Sequence, residues 1–243
     1  MTISLAPEVL MHLGPFSITN SLLSGVIITA FLVILILINS KKISVFNPSK
    51  IQLAFEFAYS TLKNMTTGVL GKDTQTYWPF LLTFFVFILF SNWFGLLPTT
   101  GNLGIYEMKE GVRELVPLFR APTSDISATM TLALISIIVV NVIGFKTHKI
   151  KFMKKYFDPS NPINLFVSIL ETISELGKVV SFTFRLFGNI FAGEVLLIVI
   201  SGISFGVATL PFYGLEIFIG FIQAFVFLML TTVFINLAIN THH

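Results

Sequence analysis

The chain has 243 residues, of which 54% are hydrophobic, 14% aromatic and only 11% charged, and its mean hydropathy is +0.88. Soluble domains carry about 25% charged residues, so a soluble globular protein, a disordered tail and a collagen-like fibre are excluded. The absence of cysteine also excludes a disulfide scaffold and thiolate-held zinc or iron–sulfur centres. What remains is an all-α polytopic membrane protein, with room for roughly five or six crossings of about 20 apolar residues each.

The net charge of +3 does not point to nucleic acid, because the basic residues are grouped. Lys41, Lys42 and Lys50 crowd one segment between apolar runs, and Lys146, Lys149, Lys151, Lys154 and Lys155 crowd another. That is the positive-inside pattern of a membrane protein. The N-terminus, with Glu8 and His12 and no basic region, does not read as a cleavable signal peptide.

In chain order, residues 16–39 read as a first transmembrane helix, with the N-terminus outside and Lys41 inside. Residues 48–70 repeat apolar positions at helical spacing, interrupted by Glu56, Lys63 and Asn64, and read as an amphipathic surface helix closed by Gly68, Gly71 and Asp73. Residues 77–145 read as a transmembrane hairpin. Tyr77 and Trp78 form an interfacial belt at its start, Pro98 ends its first helix, and the outside loop 99–122 holds charges that cancel: Glu107, Lys109, Glu110, Arg113, Glu114 and Arg120.

Residues 162–240 are the informative part. Asn161-Pro162 supplies a cap and a proline at the first helical position, and no proline follows until Pro211. Helices from Pro162 to Ile200 and from Pro211 to Ile239 measure about 58 Å and about 43 Å at the helical rise, against a hydrocarbon core of about 30 Å. The expectation is a long, strongly tilted hairpin, turning at the Gly and Ser residues of 202–206.

This hairpin carries charges where charges are costly. Arg185 lies deep in an apolar helix, at a cost from about 3 kcal/mol upward. Glu171, Ser174, Glu175, Lys178, Arg185 and Asn189 fall within about 60° of one line on the helical wheel, whereas Glu194 lies about 140° from Glu171. Glu216 and Gln223 share a face of the last helix. Plainer readings stand beside the functional one. Glu171, Glu175 and Lys178 are compatible with an interfacial ion-pair cluster, Glu194 or Glu216 with a partner for Arg185, and Asn189 and Gln223 with interhelical glue. Intramembrane ionisable groups nevertheless mark ion pathways by default. Two carboxylate sets separated by a cation that never deprotonates suggest two half-paths rather than one open pore.

The run Ser181-Phe-Thr-Phe-Arg185-Leu-Phe-Gly-Asn189-Ile-Phe-Ala-Gly-Glu194 resembles the signature of subunit a of the rotary F-type ATP synthases, of the bacterial type. Phe16-Ser-Ile-Thr-Asn-Ser21, Phe90-Ser-Asn-Trp-Phe-Gly-Leu-Leu-Pro98, Arg120-Ala-Pro-Thr-Ser-Asp125 and Gln223-Ala-Phe-Val-Phe are similar to further segments of that family, in order along the chain. The resemblance implies an ion-translocating stator subunit that packs its hairpin against a ring of c subunits. It further implies contact with peripheral-stalk b subunits, residence in the lipid bilayer as part of the whole complex, and no cofactor, metal or nucleic acid. Arg185 matches the essential cation facing the ring carboxylate. Asn189, Glu194, Glu216 and Gln223, with Asp125 near the mouth, match the outer half-channel; Glu171, Ser174 and Glu175 match the inner one. The expected lack of a transit peptide and the lysine-rich, cysteine-free composition suggest a bacterial plasma (inner) membrane, with an organelle-encoded copy as the alternative.

Departures from the family pattern are Glu at both 194 and 216, where a glutamate and a histidine are frequent, Ser127 for asparagine, Phe234 for tyrosine and Val179 for proline. Two close carboxylates titrate as a coupled pair, which leaves open which of them carries a relay proton. The alternatives are a secondary ion transporter, which would show internal repeats and broken helices, and a membrane anchor of a respiratory complex, which would place paired histidines within its spans. His12, His148, His242 and His243 lie in loops or termini. No phosphate loop or nucleophile motif is present, so no catalysis is expected of the chain by itself.

Overall fold

A computed structural model describes the chain except for residues 1–6, 14–15, 41–47, 98–99, 101–102, 110–111, 150–151, 153–155, 157–159, 205–208 and 241–243. Its elements in order are β1 (Val9–Leu13), β2 (Phe16–Thr19), α1 (Asn20–Ser40), α2 (Lys50–Leu70), α3 (Thr74–Phe94), β3 (Gly104–Lys109), β4 (Val112–Pro117), α4 (Ile126–His148), α5 (Pro162–Ser204) and α6 (Thr209–Asn240). Among the described residues, five helical stretches are long and apolar enough to cross a membrane: Asn20–Ile38, Gln52–Phe94, Ile126–His148, Pro162–Ser204 and Thr209–Asn240. The all-α polytopic architecture read from the sequence is therefore present.

Local chemistry explains the helix ends. Ser49 caps α2, its hydroxyl accepting from the Gln52 N–H at 3.1 Å. Gly71 closes α2 at φ +58°, a conformation that costs glycine nothing, and its N–H donates to the Thr67 carbonyl. A single 3-10 turn, Gly71–Asp73, then leads straight into α3, so the expected surface helix and the first hairpin helix form one nearly continuous run. Leu165 N donates to the Asn161 carbonyl at 3.0 Å where α5 begins. α6 begins two residues ahead of Pro211; a proline in the first turn is tolerated because its missing N–H would have no intrahelical partner there.

Three expectations need adjustment. Trp78, expected in an interfacial belt, is packed inside the protein: it is only 4% exposed and lies edge-on against Tyr59, with ring centroids 5.4 Å apart. The segment 99–122 is not plain loop, because β3 and β4 pair antiparallel from Gly104↔Pro117 to Lys109↔Val112. A second hairpin, β1–β2, precedes α1. The helix of Arg185 also extends to Ser204, so residues 202–204 are helical; the rest of the expected turn lies outside the described residues. So do Lys41, Lys42, Lys151, Lys154, Lys155, Pro98, Glu110, His242 and His243, together with the side chains of His12, Glu107, Lys109, Arg113 and Glu114.

The chain forms two compact units. The first comprises Met1–Leu37, Val86–Thr129 and Thr183–Phe225; the second comprises Ile38–Phe85, Met130–Phe182 and Val226–His243. In the second unit α3, α4, α5 and α6 meet through specific contacts. Phe84 stacks on Phe227 at 5.5 Å. Phe182 lies 4.8 Å from Phe227 and 5.6 Å from Phe234. The hydroxyls of Ser136 and Thr231 share a buried hydrogen bond of 3.0 Å. His148, the last residue of α4, donates from Nε2 to the Ile239 carbonyl at 2.9 Å. In the first unit, Asn92 donates to the Gly220 carbonyl at 2.9 Å and Trp93 to the Ile217 carbonyl at 3.1 Å, which joins α3 to α6. Gly220 permits that approach, since a Cβ there would stand 3.1 Å from the Asn92 Cβ.

Candidate functional site

α5 is a 43-residue helix with no proline after its first position, so its polar residues keep the register that the helical wheel assigns them. In the second unit, that register brings Glu175 and Lys178 together at i,i+3. Lys178 Nζ lies 2.6 Å from Glu175 Oε1, and the same ammonium sits over the Phe234 ring at 4.9 Å from its centroid. Glu175 is buried, at 8% exposure, whereas Glu171 is half-buried and Ser174 is exposed. The three residues expected to form one inner set differ in setting: Glu175 is tied to Lys178, Glu171 is half-buried and Ser174 is exposed.

In the first unit, Arg185 is half-buried and Asn189 is exposed. The Asn189 amide donates to the Arg185 carbonyl at 3.0 Å, so both groups belong to one turn of α5. Glu194 and Glu216, on different helices, come within electrostatic reach of each other. Glu216 is buried, at 5% exposure, and its carboxyl fills the space that a Cβ on Gly193 would occupy. Gly193 is therefore a notch into which the Glu216 carboxyl fits. Gln223 is half-buried on α6.

Glu194 has a neighbour from the charge-balanced segment 99–122. Arg120 lies within electrostatic reach of its carboxyl, with Ser124 beside it; the Ser124 hydroxyl itself donates to the Ala121 carbonyl at 3.0 Å. Arg120 is itself braced on Ser124, from Nε to the hydroxyl at 3.0 Å and from Nη2 to the carbonyl at 3.3 Å. α3 ends against the same place: a Cβ on Gly95 would stand 2.8 Å from the Ala121 Cβ and 3.8 Å from Glu194 Oε1. The signal for these residues was present in Arg120-Ala-Pro-Thr-Ser-Asp125, but nothing in it indicates that the segment folds back onto the helix of Arg185.

Asp125 is buried, at 4% exposure, and caps α4. Its Oδ1 accepts from the Ser127 N–H at 2.9 Å and its Oδ2 from the Ser21 hydroxyl at 2.5 Å. Its carbonyl accepts from the Thr129 N–H and hydroxyl, both at 3.1 Å. Among the described residues, no group of three or more His, Cys, Asp or Glu is arranged to hold a metal ion.

α5 therefore carries the Arg185 guanidinium in its middle, the Glu175–Lys178 ion pair nearer its start and Glu194 nearer its end. The family model described as "ATP synthase A chain" matches residues 21–236. The chain is similar to ATP synthase subunit a of Pelagibacter ubique (strain HTCC1062), 31% identical over 251 aligned residues that cover 98% of this chain and 95% of that protein.

Proposed function

The chain belongs to the ATP synthase A chain family, and from that premise we propose that it is the stator subunit that leads protons to and from a ring of c subunits through two offset half-channels. Membership makes it a membrane subunit of the ATP synthase rather than the subunit that forms ATP, and proton translocation is the general work of the family. The finer reading is supported above all by Arg185. It lies in an uninterrupted 43-residue helix, between Glu171, Ser174 and Glu175 on one side in sequence and Asn189 and Glu194 on the other.

In this mechanism the Arg185 guanidinium attracts a passing ring carboxylate, because an opposite charge favours the ionised form. The proton that the carboxyl carried leaves through one half-channel. Once the ring carboxylate has moved past Arg185, it reloads from the other. The guanidinium never deprotonates, so protons do not leak straight between the two paths. Asn189, Glu194, Glu216 and Gln223 line the outer path; Glu171 and Ser174 line the inner one, with Glu175 beside them. The membrane potential contributes about 2.3 kcal/mol per proton per 100 mV, and ring rotation carries that work to the catalytic head. Peripheral-stalk b subunits hold the chain still against the ring. The lysine-rich segments favour an orientation with the N-terminus outside, in the plasma membrane of a bacterium.

The test is ATP-driven proton pumping in vesicles carrying Arg185→Ala, with assembly followed by immunoblot. The expected result is an assembled complex that does not pump. An assembled variant that pumps normally makes Arg185 structural and removes the half-channel reading.

A further inference from the structure

α1 has the composition of a simple lipid-facing span, yet its first turns are polar and buried. Asn20 and Ser24 are 0% exposed and Ser21 is 2% exposed. Each side chain holds a different point of the segment 117–125. The Asn20 amide donates to the Pro117 carbonyl at 3.1 Å. The Ser21 hydroxyl donates to Asp125 Oδ2 at 2.5 Å. The Ser24 hydroxyl accepts from the Arg120 N–H at 3.2 Å and donates to the Asn20 carbonyl at 2.9 Å. A hydrogen bond of 3.0 Å joins the Thr19 and Ser21 hydroxyls. Because Ser21 gives its one proton to Asp125, Thr19 is the donor there.

The held segment carries the groups that meet Glu194. Arg120 is fixed at its backbone by Ser24 and at its guanidinium by Ser124. Ala121 is packed against the end of α3 at Gly95, beside the Glu194 carboxyl. Asp125 closes the segment at its far end, with both carboxylate oxygens and its carbonyl occupied. Both carboxylate oxygens of Asp125 are thus committed to holding Ser21 and the first turn of α4.

We infer that the polar end of α1 is a clamp that sets Arg120 and Ser124 against Glu194, so that Asn20, Ser21, Ser24 and Asp125 are positioning residues of the outer path and Asp125 is not one of its proton carriers. The inference rests on the proposed role of Glu194 in that path. The clamp acts through the groups that face Glu194, namely Arg120 and Ser124 on the held segment and Glu216 on α6.

The experiment uses the whole ATP synthase in membrane vesicles, with assembly quantified and with ATP-driven pumping and the outside-pH dependence of ATP synthesis both measured. Asp125→Asn keeps the clamp: its amide oxygen accepts from the Ser127 N–H and its NH2 donates to the Ser21 oxygen. Pumping per assembled complex is expected to stay within about twofold of the parent. Asp125→Ala is expected to lose about tenfold and Ser21→Ala about threefold, the scale of one to two lost hydrogen bonds. Ser21→Ala should also displace the outside-pH profile, which a mere fall in folded protein leaves in place. Where Asp125→Ala fails to assemble, Ser21→Ala decides by the same criteria.

An Asp125→Asn complex as inactive as Asp125→Ala makes Asp125 a proton carrier and overturns the clamp. A Ser21→Ala complex with unchanged pumping and profile overturns it too. Glu194→Gln runs in parallel. If assembled Glu194→Gln pumps normally, the role of Glu194 itself falls, and the clamp's purpose falls with it. If Glu194→Gln is impaired and the clamp variants behave otherwise than expected, only the clamp is lost.

Discussion

Glu175 on α5 and Glu216 on α6 are both carboxylates buried in apolar helices, yet they are accommodated by opposite means. Glu175 has a counter-ion 2.6 Å away in Lys178, and the lysine is covered by the Phe234 ring. Glu216 is accommodated by shape, its carboxyl set into the notch at Gly193 and in electrostatic reach of a second carboxylate, Glu194. The contrast teaches what each site is able to do. A carboxylate locked to a lysine is a fixed element whose removal leaves an uncompensated charge. One held by packing beside another acid has, among the described residues, no ion pair to break before it accepts or gives up a proton.

Breaking the ion pair is the most severe way to attack this comparison. Lys178→Met leaves Glu175 buried opposite an apolar side chain, and on the scale of broken buried pairs should destabilise the subunit by about 3 kcal/mol. Lys178→Met/Glu175→Gln removes both charges and should recover most of that loss, with a coupling of about 1 to 3 kcal/mol. Thermal dissociation of the assembled complex measures both. A double variant no more stable than Lys178→Met alone would show that Glu175 and Lys178 do not act as a pair.

Attacking the notch comes next. Gly193→Ala places a methyl group where the Glu216 carboxyl lies, and overpacking of this kind should cost about 2 kcal/mol. Because the displaced group is itself a proposed path residue, pumping should fall further than assembly. Gly193→Ala/Glu216→Ala restores the space without restoring the acid. Assembly should then recover while pumping stays low, and recovery of both would remove Glu216 from the path.

Much of this was legible in the residues, and what was not has a physical reason. The spans, the stop at Gly71 and the start at Pro162 depend on hydropathy, positive φ and the missing proline N–H, all of them local properties. The wheel placed Glu171, Glu175 and Lys178 on one stripe, but it cannot distinguish a buried position from a half-buried one, and the partner that decides it, Phe234, is 56 residues further on. The β3–β4 hairpin was obscured because its strands carry charges that read as loop. The clamp on α1 was invisible because its hydrogen bonds span 97 and 104 residues of sequence. Arg120 was set aside as one charge in a balanced loop, since only the fold brings it to Glu194.

The aromatic cover of Lys178 offers a finer test. Phe234→Leu keeps an apolar side chain but removes the π face, and should cost about 1 kcal/mol at a partly desolvated site. Phe234→Tyr keeps the face and should lie close to the parent in thermal dissociation. Equal behaviour of the two variants would mean that Phe234 contributes only bulk through Phe182, its stacked neighbour at 5.6 Å.

The smallest expected effect lies on α2, at a position with no packing to protect. A Cβ on Gly68 meets nothing within 4 Å, and Gly68 is an interior position of a helix that is closed by Gly71 rather than by Gly68. Gly68→Ala therefore removes backbone freedom from the unfolded chain without a clash, and should stabilise by about 0.5 to 1 kcal/mol. Gly71→Ala, three residues later, substitutes at φ +58° and should destabilise by about 1 kcal/mol, the cost of forcing an L side chain into the left-handed region. Measured side by side as thermal dissociation, the two alanines should move in opposite directions. A shift of the same sign for both would mean that backbone conformation does not govern this helix end.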